Sequence, residues 1–176
     1  MSPMTSTSSP LSILAILLVS LQLGLPGFSC AHAQVIDRDS DSSALGNVIY
    51  RLVAASRTNF EHISIGPCLI REGVRYCNSA IQIPEANKTE IRTRNNMPSE
   101  ITAEIYLGTD ESEAQNAFMH VANQLAMRWP RDYRAGTFKG APNATVYLPN
   151  KIELRLNVFW LESRERYGTF MTIGPR

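Results

Sequence analysis

A run of apolar residues from Leu11 to Leu25 constrains the chain more than any other feature of its sequence. The run ends at Pro26-Gly27 and is followed by Ala31-His32-Ala33, which places two small residues two positions apart before Gln34. About fifteen apolar residues are too few for a comfortable membrane span, and the small residues match a signal-peptidase site. The sequence therefore predicts a signal peptide over residues 1–33 and a periplasmic or secreted protein.

The segment before this run leaves alternatives open. Residues 1–10 contain no Lys or Arg, although a signal peptide normally begins with positive charge, so a start at Met4 and an uncleaved anchor are both compatible with the sequence. A lipoprotein with the lipid on Cys30 is a third alternative, disfavoured because Gly27-Phe28-Ser29 lacks the aliphatic residue expected there. Cleaved export is favoured because the length, the Pro-Gly breaker and the small-residue site agree.

Charge and length limit what the rest of the chain can be. The formal net charge is +1, and residues 1–33 contain no Lys, Arg, Asp or Glu, so the exported part keeps that charge. A nucleic-acid-binding protein normally shows a basic stripe, so this near-neutral balance argues against that class. The remaining sequence of about 143 residues suits a linker over residues 34–41 and a single domain over residues 42–176.

Cys68 and Cys77 are the two cysteines that follow the predicted cleavage site. In an oxidising compartment an isolated pair of this kind predicts a disulfide. If Glu72-Gly73 forms a two-residue turn, Cys68 lies opposite Cys77 in a non-hydrogen-bonded pair, with Cα atoms within about 4.5 Å. Glu is a poor first residue for a type I′ turn, so a bulge that shifts this register is the alternative.

The apolar spacing of the first half predicts a helix followed by strands. The helix covers residues 42–56 and presents one stripe, formed by Leu45, Val48, Ile49, Leu52 and Val53. Three segments rich in β-forming residues follow, at residues 63–69, 74–83 and 101–107. The last of them alternates around Thr102, Glu104 and Tyr106, which predicts one wet face. Residues 84–98 are predicted to be a polar connection with a short edge strand near Ile91.

The second half repeats this pattern. A helix begins at Thr109 or Asp110, where Asp110 and Glu113 resemble a capping box, and ends at Trp129-Pro130. Its stripe is formed by Ala114, Phe118, Val121, Ala122 and Leu125. A loop is predicted over residues 131–143, followed by strands at residues 145–148, 152–161 and 167–173. The fold class is therefore α+β, an antiparallel β-sheet with two packed helices in the order α-β-β-β-α-β-β-β.

Motifs for catalysis, metals and cofactors are missing from the sequence. It contains no nucleophile elbow, no phosphate loop and no Cys/His spacing for a metal, so we expect no metal and no cofactor. His120 lies about 120° from the apolar stripe of its helix, near Glu113 and Gln124. A general base supported by a carboxylate is one interpretation, and a solvated surface histidine is the favoured one.

The segment from Arg128 to Arg134 interleaves cations and aromatic rings and is the best candidate for a binding surface. It consists of Arg128, Trp129, Arg131, Tyr133 and Arg134, together with Pro130 and Asp132. Guanidinium groups beside flat rings suit an anionic glycan or an acidic protein surface. The alternative, which we favour, is that Arg128 complements the helix C-terminus while both rings fill the end of the core. Glu104 and Tyr106 form a second, weaker candidate surface.

These observations predict an exported, non-enzymatic binding module of the periplasm or cell envelope, with an anionic or acidic partner, a protein or a glycan. The alternative is a small cell-envelope hydrolase that uses His120 or Glu104 as its general base. A deep cleft that holds His120 beside a carboxylate favours the enzyme, whereas a shallow face of arginine and aromatic side chains favours the binding module.

Overall fold

The computed structural model describes residues 38–95 and 97–176, and their side chains from residue 44 onward. The predicted signal peptide lies outside the described residues, and the predicted linker over residues 34–41 lies partly outside them. Within the described part of that linker a helix already begins at Arg38, four residues before the predicted start. No helix of the described residues is both long and apolar enough to cross a membrane.

The described chain forms two long helices and eight strands. The first half consists of α1 (Arg38–Ala55), β1 (Ser64–Arg71), β2 (Val74–Ser79), β3 (Lys88–Arg94) and β4 (Glu100–Gly108). The second half consists of α2 (Glu111–Arg128), β5 (Tyr133–Phe138), β6 (Ala141–Leu148), β7 (Ile152–Leu161) and β8 (Arg166–Pro175). Short 3-10 turns lie at Ser56–Thr58, Glu61–Ile63 and Glu162–Arg164.

All eight strands form one antiparallel sheet in the order β1-β2-β3-β4-β8-β7-β6-β5. The predicted α+β class, with a helix before each of two groups of strands, is confirmed. Each group is a four-stranded meander, and the two meanders meet where β4 pairs with β8. The helix α2 packs across β4, β6, β7 and β8, and α1 packs beside α2, so both helices belong to one core.

Two segments that were predicted to be irregular are strands. The strand near Ile91 is not an edge strand, because β3 lies between β2 and β4 in the interior of the sheet. Its inward positions beside Ile91 are Thr89 and Thr93, which give a weak apolar alternation. The predicted loop over residues 131–143 contains β5 and the start of β6. β5 is an edge strand of mostly exposed residues, so its sequence has no apolar period to detect.

The predicted stripes form the core. On α1, Leu45, Ile49, Leu52 and Val53 are buried, and on α2 the five predicted stripe residues are buried together with Gln124. The Asp110 side chain accepts from the backbone N–H groups of Ser112 (2.7 Å) and Glu113 (3.2 Å), as an N-cap does. No bond from the Asp110 N–H to Glu113 completes a capping box among the described residues; the Oε2 of Glu113 accepts from the Tyr106 hydroxyl at 2.8 Å.

The predicted disulfide Cys68–Cys77 is present, with its Cα atoms 4.4 Å apart. The turn residues Glu72 and Gly73 both have positive φ, 52° and 73°, which is the conformation of a type I′ hairpin turn. The register predicted from this turn holds for the pair Leu69 and Tyr76, next to the cysteines. A register shift does occur, but it lies between Ile65 and Leu69.

Candidate ligand-binding groove

The sheet face away from α2, which we call the open face, carries polar side chains on its four central strands. Strand register places Glu90 of β3 beside Thr102 of β4, and Thr102 beside Thr172 of β8. The row continues to Arg155 of β7, which is the register partner of Thr172. Since side chains alternate between the two faces of a strand, the neighbours of these residues, such as Ile101, point into the core.

Two adjoining cavities lie on the open face. One has a volume of about 450 Å³ and the other about 400 Å³, and both are lined by Arg92, Phe159 and Thr172. We call the two together the open-face groove. Cavities of this size are typical of sites for small molecules.

The two cavities differ in chemistry. The first is lined by Phe170, Leu161 and Thr102, with charged residues around them. The second contains Arg94 and Arg155, with Met97 and Pro98 at its border. Both cavities are therefore charged, with three basic residues each, and the first also contains Phe170, Leu161 and Thr102.

Thr102 is the most unusual residue of the groove. Its side chain is 6% exposed, yet its Oγ1 has no hydrogen-bond partner among the described residues. A buried hydroxyl without a partner costs about 1–3 kcal/mol, and buried polar atoms in native proteins rarely lack one. The open face therefore holds a polar atom whose partner is not supplied by the described chain.

Arg92 carries a second buried atom of the same kind. Its Nε has no hydrogen-bond partner among the described residues, although the side chain lines both cavities. The guanidinium carbon lies 5.3 Å from the centre of the Tyr76 ring, so the tyrosine supports one side of the cation. Among the ion pairs formed within the described residues, none includes Arg92.

The other charges of the groove are arranged in pairs. Lys88 and Glu90 form an ion pair at 2.6 Å, and Arg155 contacts Glu153 at 3.2 Å and Glu100 at 3.9 Å. These pairs are partly exposed and contribute little stability, about 0–1 kcal/mol each. The lining contains five basic residues (Lys88, Arg92, Arg94, Arg155 and Arg164) and three acidic ones (Glu90, Glu100 and Glu104), an excess of two positive charges.

A glycine makes room for the aromatic rings of the first cavity. The Phe170 ring lies over Gly168, where the Cβ of any other residue would overlap the ring. Phe159 is the register partner of Gly168 on β7 and stays 38% exposed, although its side chain is large and apolar. Gly168 therefore lets Phe170 lie flat on the backbone, beside a phenylalanine that is open to solvent.

The structure separates the two residues of the weaker predicted surface. Glu104 lines the first cavity, as expected for a residue on the wet face of β4. A register shift between Glu104 and Tyr106 then changes the direction of the strand's side chains. Tyr106 reaches Glu113 of α2 instead, and partial burial together with this hydrogen bond raises the pKa of Tyr106. The prediction that Tyr106 shares the face of Glu104 is therefore wrong.

His120 does stand beside a carboxylate, but this carboxylate is not Glu113. Its Nε2 lies 3.0 Å from Oε1 of Glu85 and 3.0 Å from Nε2 of Gln124. Glu85 belongs to the turn between β2 and β3 and has a positive φ of 65°. This cluster contributes no side chain to the open-face groove.

The segment from Arg128 to Arg134 is placed largely in support of the core. Trp129 is 7% exposed and packs against Tyr50 with ring centres 5.9 Å apart, while Arg128 covers that tyrosine at 5.6 Å. Tyr133 is partly buried, which raises its pKa. Arg134 donates to the carbonyl oxygens of Arg131 and Tyr133, at 2.8 and 2.7 Å. Arg131 is exposed, so this segment presents cations without an open aromatic surface.

Thr102 and Arg92, the two residues that define the groove, were not identified from the sequence. The signal for Thr102 is its position in the polar alternation of β4, next to the Glu104 that was named. Arg92 could not be assigned to this face because residues 84–98 were predicted to be a polar connection with only a short edge strand. No family model matches the sequence, and comparisons with curated proteins and with solved structures find no match either.

Proposed function

We propose that the protein is an exported, non-enzymatic binding module that holds an anionic ligand in the open-face groove. The observation that carries this proposal is the unpartnered Oγ1 of Thr102, in a side chain that is 6% exposed and lines a cavity of about 450 Å³. Valine has nearly the same shape as threonine and would fit this position without an unpaired hydroxyl. Threonine has an advantage over valine at this position if a ligand forms a hydrogen bond with its hydroxyl.

Access to Thr102 requires a small movement of its neighbours. The hydroxyl is screened from solvent, and its register partner on one side is Glu90, which is held to Lys88 by a partly exposed ion pair. Such a pair is weak, so Glu90 can turn aside at little cost when a ligand arrives. Interface side chains commonly change rotamer in this way on binding.

The charge of the groove supports an anionic ligand. Five basic and three acidic side chains line it, and Arg92 is in no ion pair formed within the described residues. An arginine fork matches a carboxylate in two parallel hydrogen bonds. An anionic partner therefore remains our proposal, but the groove replaces the Arg128–Arg134 segment as its site.

The test is chemical-shift mapping of the isotopically labelled protein with three anionic probes: citrate, triglutamate and digalacturonate. We expect at least one probe to shift amide signals of β3, β4, β7 and β8. The charge-reversed variant Arg131→Glu/Arg134→Glu should respond in the same way, because these residues lie outside the groove. If no probe shifts the groove, or if that variant abolishes the response, the proposed site is wrong.

Export is tested separately. Intact-mass analysis of the protein recovered from a secreting host should give a chain that begins at Gln34, because Ala31-His32-Ala33 forms the small-residue cleavage site. A mass that includes residues 1–33, or a lipid on Cys30, would contradict cleavage at this position.

A second candidate function is hydrolysis with Glu104 as the general base. The observation that favours it is that both Glu104, two positions along β4 from Thr102, and Glu90, its partner on β3, line the first cavity. Two carboxylates that flank a substrate can divide the acid and base roles of a hydrolase. Glu104→Gln would then abolish turnover of digalacturonate while leaving its binding intact, whereas a binding module shows no turnover in either form.

A further inference from the structure

The open-face groove brings three kinds of side chain together. Phe159, Thr172 and Arg92 line both cavities, and Phe170 and Thr102 line the first. A ligand that satisfies all three needs an apolar face, several hydroxyl groups and an anion. We infer that the groove binds a saccharide that contains a uronic acid, with the carboxylate on Arg92 and a sugar ring against Phe159. This inference rests on the function proposed above.

The anion is assigned to Arg92 because it is the arginine that lines both cavities and has a buried Nε without an acceptor among the described residues; Arg94 and Arg164 each line one cavity only. Arg155 is shared between Glu153 at 3.2 Å and Glu100 at 3.9 Å, whereas Arg92 is in no ion pair formed within the described residues. The buried Nε of Arg92 lacks an acceptor, and the Tyr76 ring holds the guanidinium from one side. Nε is screened from solvent like the Thr102 hydroxyl, so its neighbours must move before a carboxylate can accept from Nε and one Nη in the bidentate geometry that arginine prefers.

The threonines of the groove suit hydroxyl groups on a ligand. Thr102 and Thr172 are register partners, and Glu104 lines the same cavity two positions from Thr102. Threonine hydroxyls donate and accept, and a carboxylate accepts only, so the best-matched ligand has groups that do both. Adjacent hydroxyls on a sugar ring meet this condition.

Two other ligand classes fit less well. An extended peptide gains most of its affinity by pairing its backbone with a sheet edge, but the groove lies on the face of four interior strands. A polyphosphate carries several negative charges, and three glutamates line the groove, so repulsion would offset the arginines. A ligand with one carboxylate per sugar matches the small excess of positive charge in the groove lining.

The position of the ligand's sugar ring follows from the exposure of Phe159. Its side chain lines both cavities and is 38% exposed, so a ligand that spans the groove must contact it. The apolar C–H face of a sugar ring covers such an aromatic surface without losing hydrogen bonds from its hydroxyls at the ring edge.

The experiment compares digalacturonate and a glucuronate-containing disaccharide with two matched probes, by calorimetry and chemical-shift mapping on the full chain. Galactobiose keeps the sugar framework without the charge, and diglutamate, whose three carboxylates are offset by one amine, keeps the net charge of digalacturonate without the sugar. We expect at least one uronate to bind at least about tenfold more tightly than either control, with affinity that falls as NaCl rises. Arg92→Lys should lower that affinity by about tenfold or more, because lysine cannot form the bidentate pair.

Two further variants separate the contacts from a folding effect. Phe159→Ala should weaken uronate binding and leave any weak binding of diglutamate unchanged, since only the sugar uses the ring. Arg131→Lys, outside the groove, should change neither affinity nor the thermal transition.

The outcomes distinguish the ligand class from the site. If galactobiose or diglutamate binds in the groove as tightly as the uronates, the assignment to a uronic acid is wrong and the proposed binding function stands. If neither uronate shifts any groove residue while citrate or triglutamate does, the ligand class is again wrong. If no probe of any kind shifts the groove, both the ligand class and the proposed function are wrong.

Discussion

Two buried threonines show how the faces of this sheet differ. Thr169 lies on the helix-covered face, is fully buried, and donates its hydroxyl to the carbonyl oxygen of Ala114 at 2.7 Å. Thr102 lies on the open face, is 6% exposed, and has no partner for its hydroxyl among the described residues. The hydroxyl on the covered face is therefore satisfied within the chain, whereas the Thr102 hydroxyl on the open face is left for a partner that the described residues do not supply.

The two faces differ in what they contribute: one holds the core, and the other carries the groove of the proposed function. Strands β4, β7 and β8 contribute Ile101, Leu154 and Ile173 to a core that excludes water, and all three are fully buried. The same strands contribute Thr102, Arg155 and Thr172 to the groove. Selection for stability alone would pair or remove an unsatisfied hydroxyl, so its presence on one face points to binding there.

The largest expected effect is on the covered face. Leu154→Ala removes a side chain that is completely buried beneath the helices, and we expect the free energy of unfolding to fall by about 2–5 kcal/mol. Arg155→Ala, one residue along on the open face, is the matched control and should change it by less than about 1 kcal/mol. Urea unfolding of both variants measures the difference, and equal losses would contradict the division of roles between the faces.

The disulfide gives the next largest effect. Cys68 and Cys77 close a short ring at the β1–β2 edge of the sheet. Replacing both with alanine should lower the free energy of unfolding by about 2.5–3 kcal/mol, through the greater freedom of the unfolded chain. The variant should keep its fold, since the core extends over both helices and the rest of the sheet. Circular dichroism that shows an unfolded variant at 25 °C would refute this.

Alkaline pH should weaken the contact between α2 and the sheet. Tyr106 donates to Glu113 at the start of α2, and the pKa values of Tyr106 and Tyr167 are both raised, by burial and the Glu113 bond for Tyr106 and by the nearby Glu111 and burial for Tyr167. A raised folded-state pKa means that the stabilisation is complete below pH 10 and is lost as pH rises through the folded pKa.

Unfolding measured between pH 8 and 11.5 should therefore show stability that decreases above about pH 10, the ordinary pKa of tyrosine. The double variant Tyr106→Phe/Tyr167→Phe should show a shallower decrease, because phenylalanine does not titrate. A decrease that is equally steep in the double variant would assign the pH dependence to other groups.

Much of the covered face could be predicted from the sequence. The stripes of α1 and α2, the Asp110 cap, the bounds of β7 and the Cys68–Cys77 pair all follow from local spacing, because each depends on residues close in the chain. β3 was predicted only as a short edge strand, since Ile91 stands between threonines, and β5 was missed because it is an exposed edge. Tyr106 was misplaced because a register shift is invisible in the alternation itself.

The groove could not be predicted for a different physical reason. Glu104 was named from its own strand, but the residues around it come from β3, β7 and β8, whose register depends on long-range pairing. Arg128 and Trp129 were predicted as part of a candidate binding surface because a cation stands beside a ring, but such a pair occurs in cores as well as in binding sites. Only the packing against Tyr50 places the ring in the core.

The most direct test of this account is a pair of variants, Thr102→Val and Thr169→Val, each measured for stability and for binding of the uronate disaccharides. Thr102→Val should leave the free energy of unfolding unchanged or raise it by about 1–2 kcal/mol, and should lower uronate affinity at least about tenfold. Thr169→Val should lower stability by about 0.5–1.5 kcal/mol, because it removes a satisfied buried bond, and should leave affinity unchanged. A Thr102→Val protein that is destabilised and binds as tightly as the unmodified protein would contradict the account.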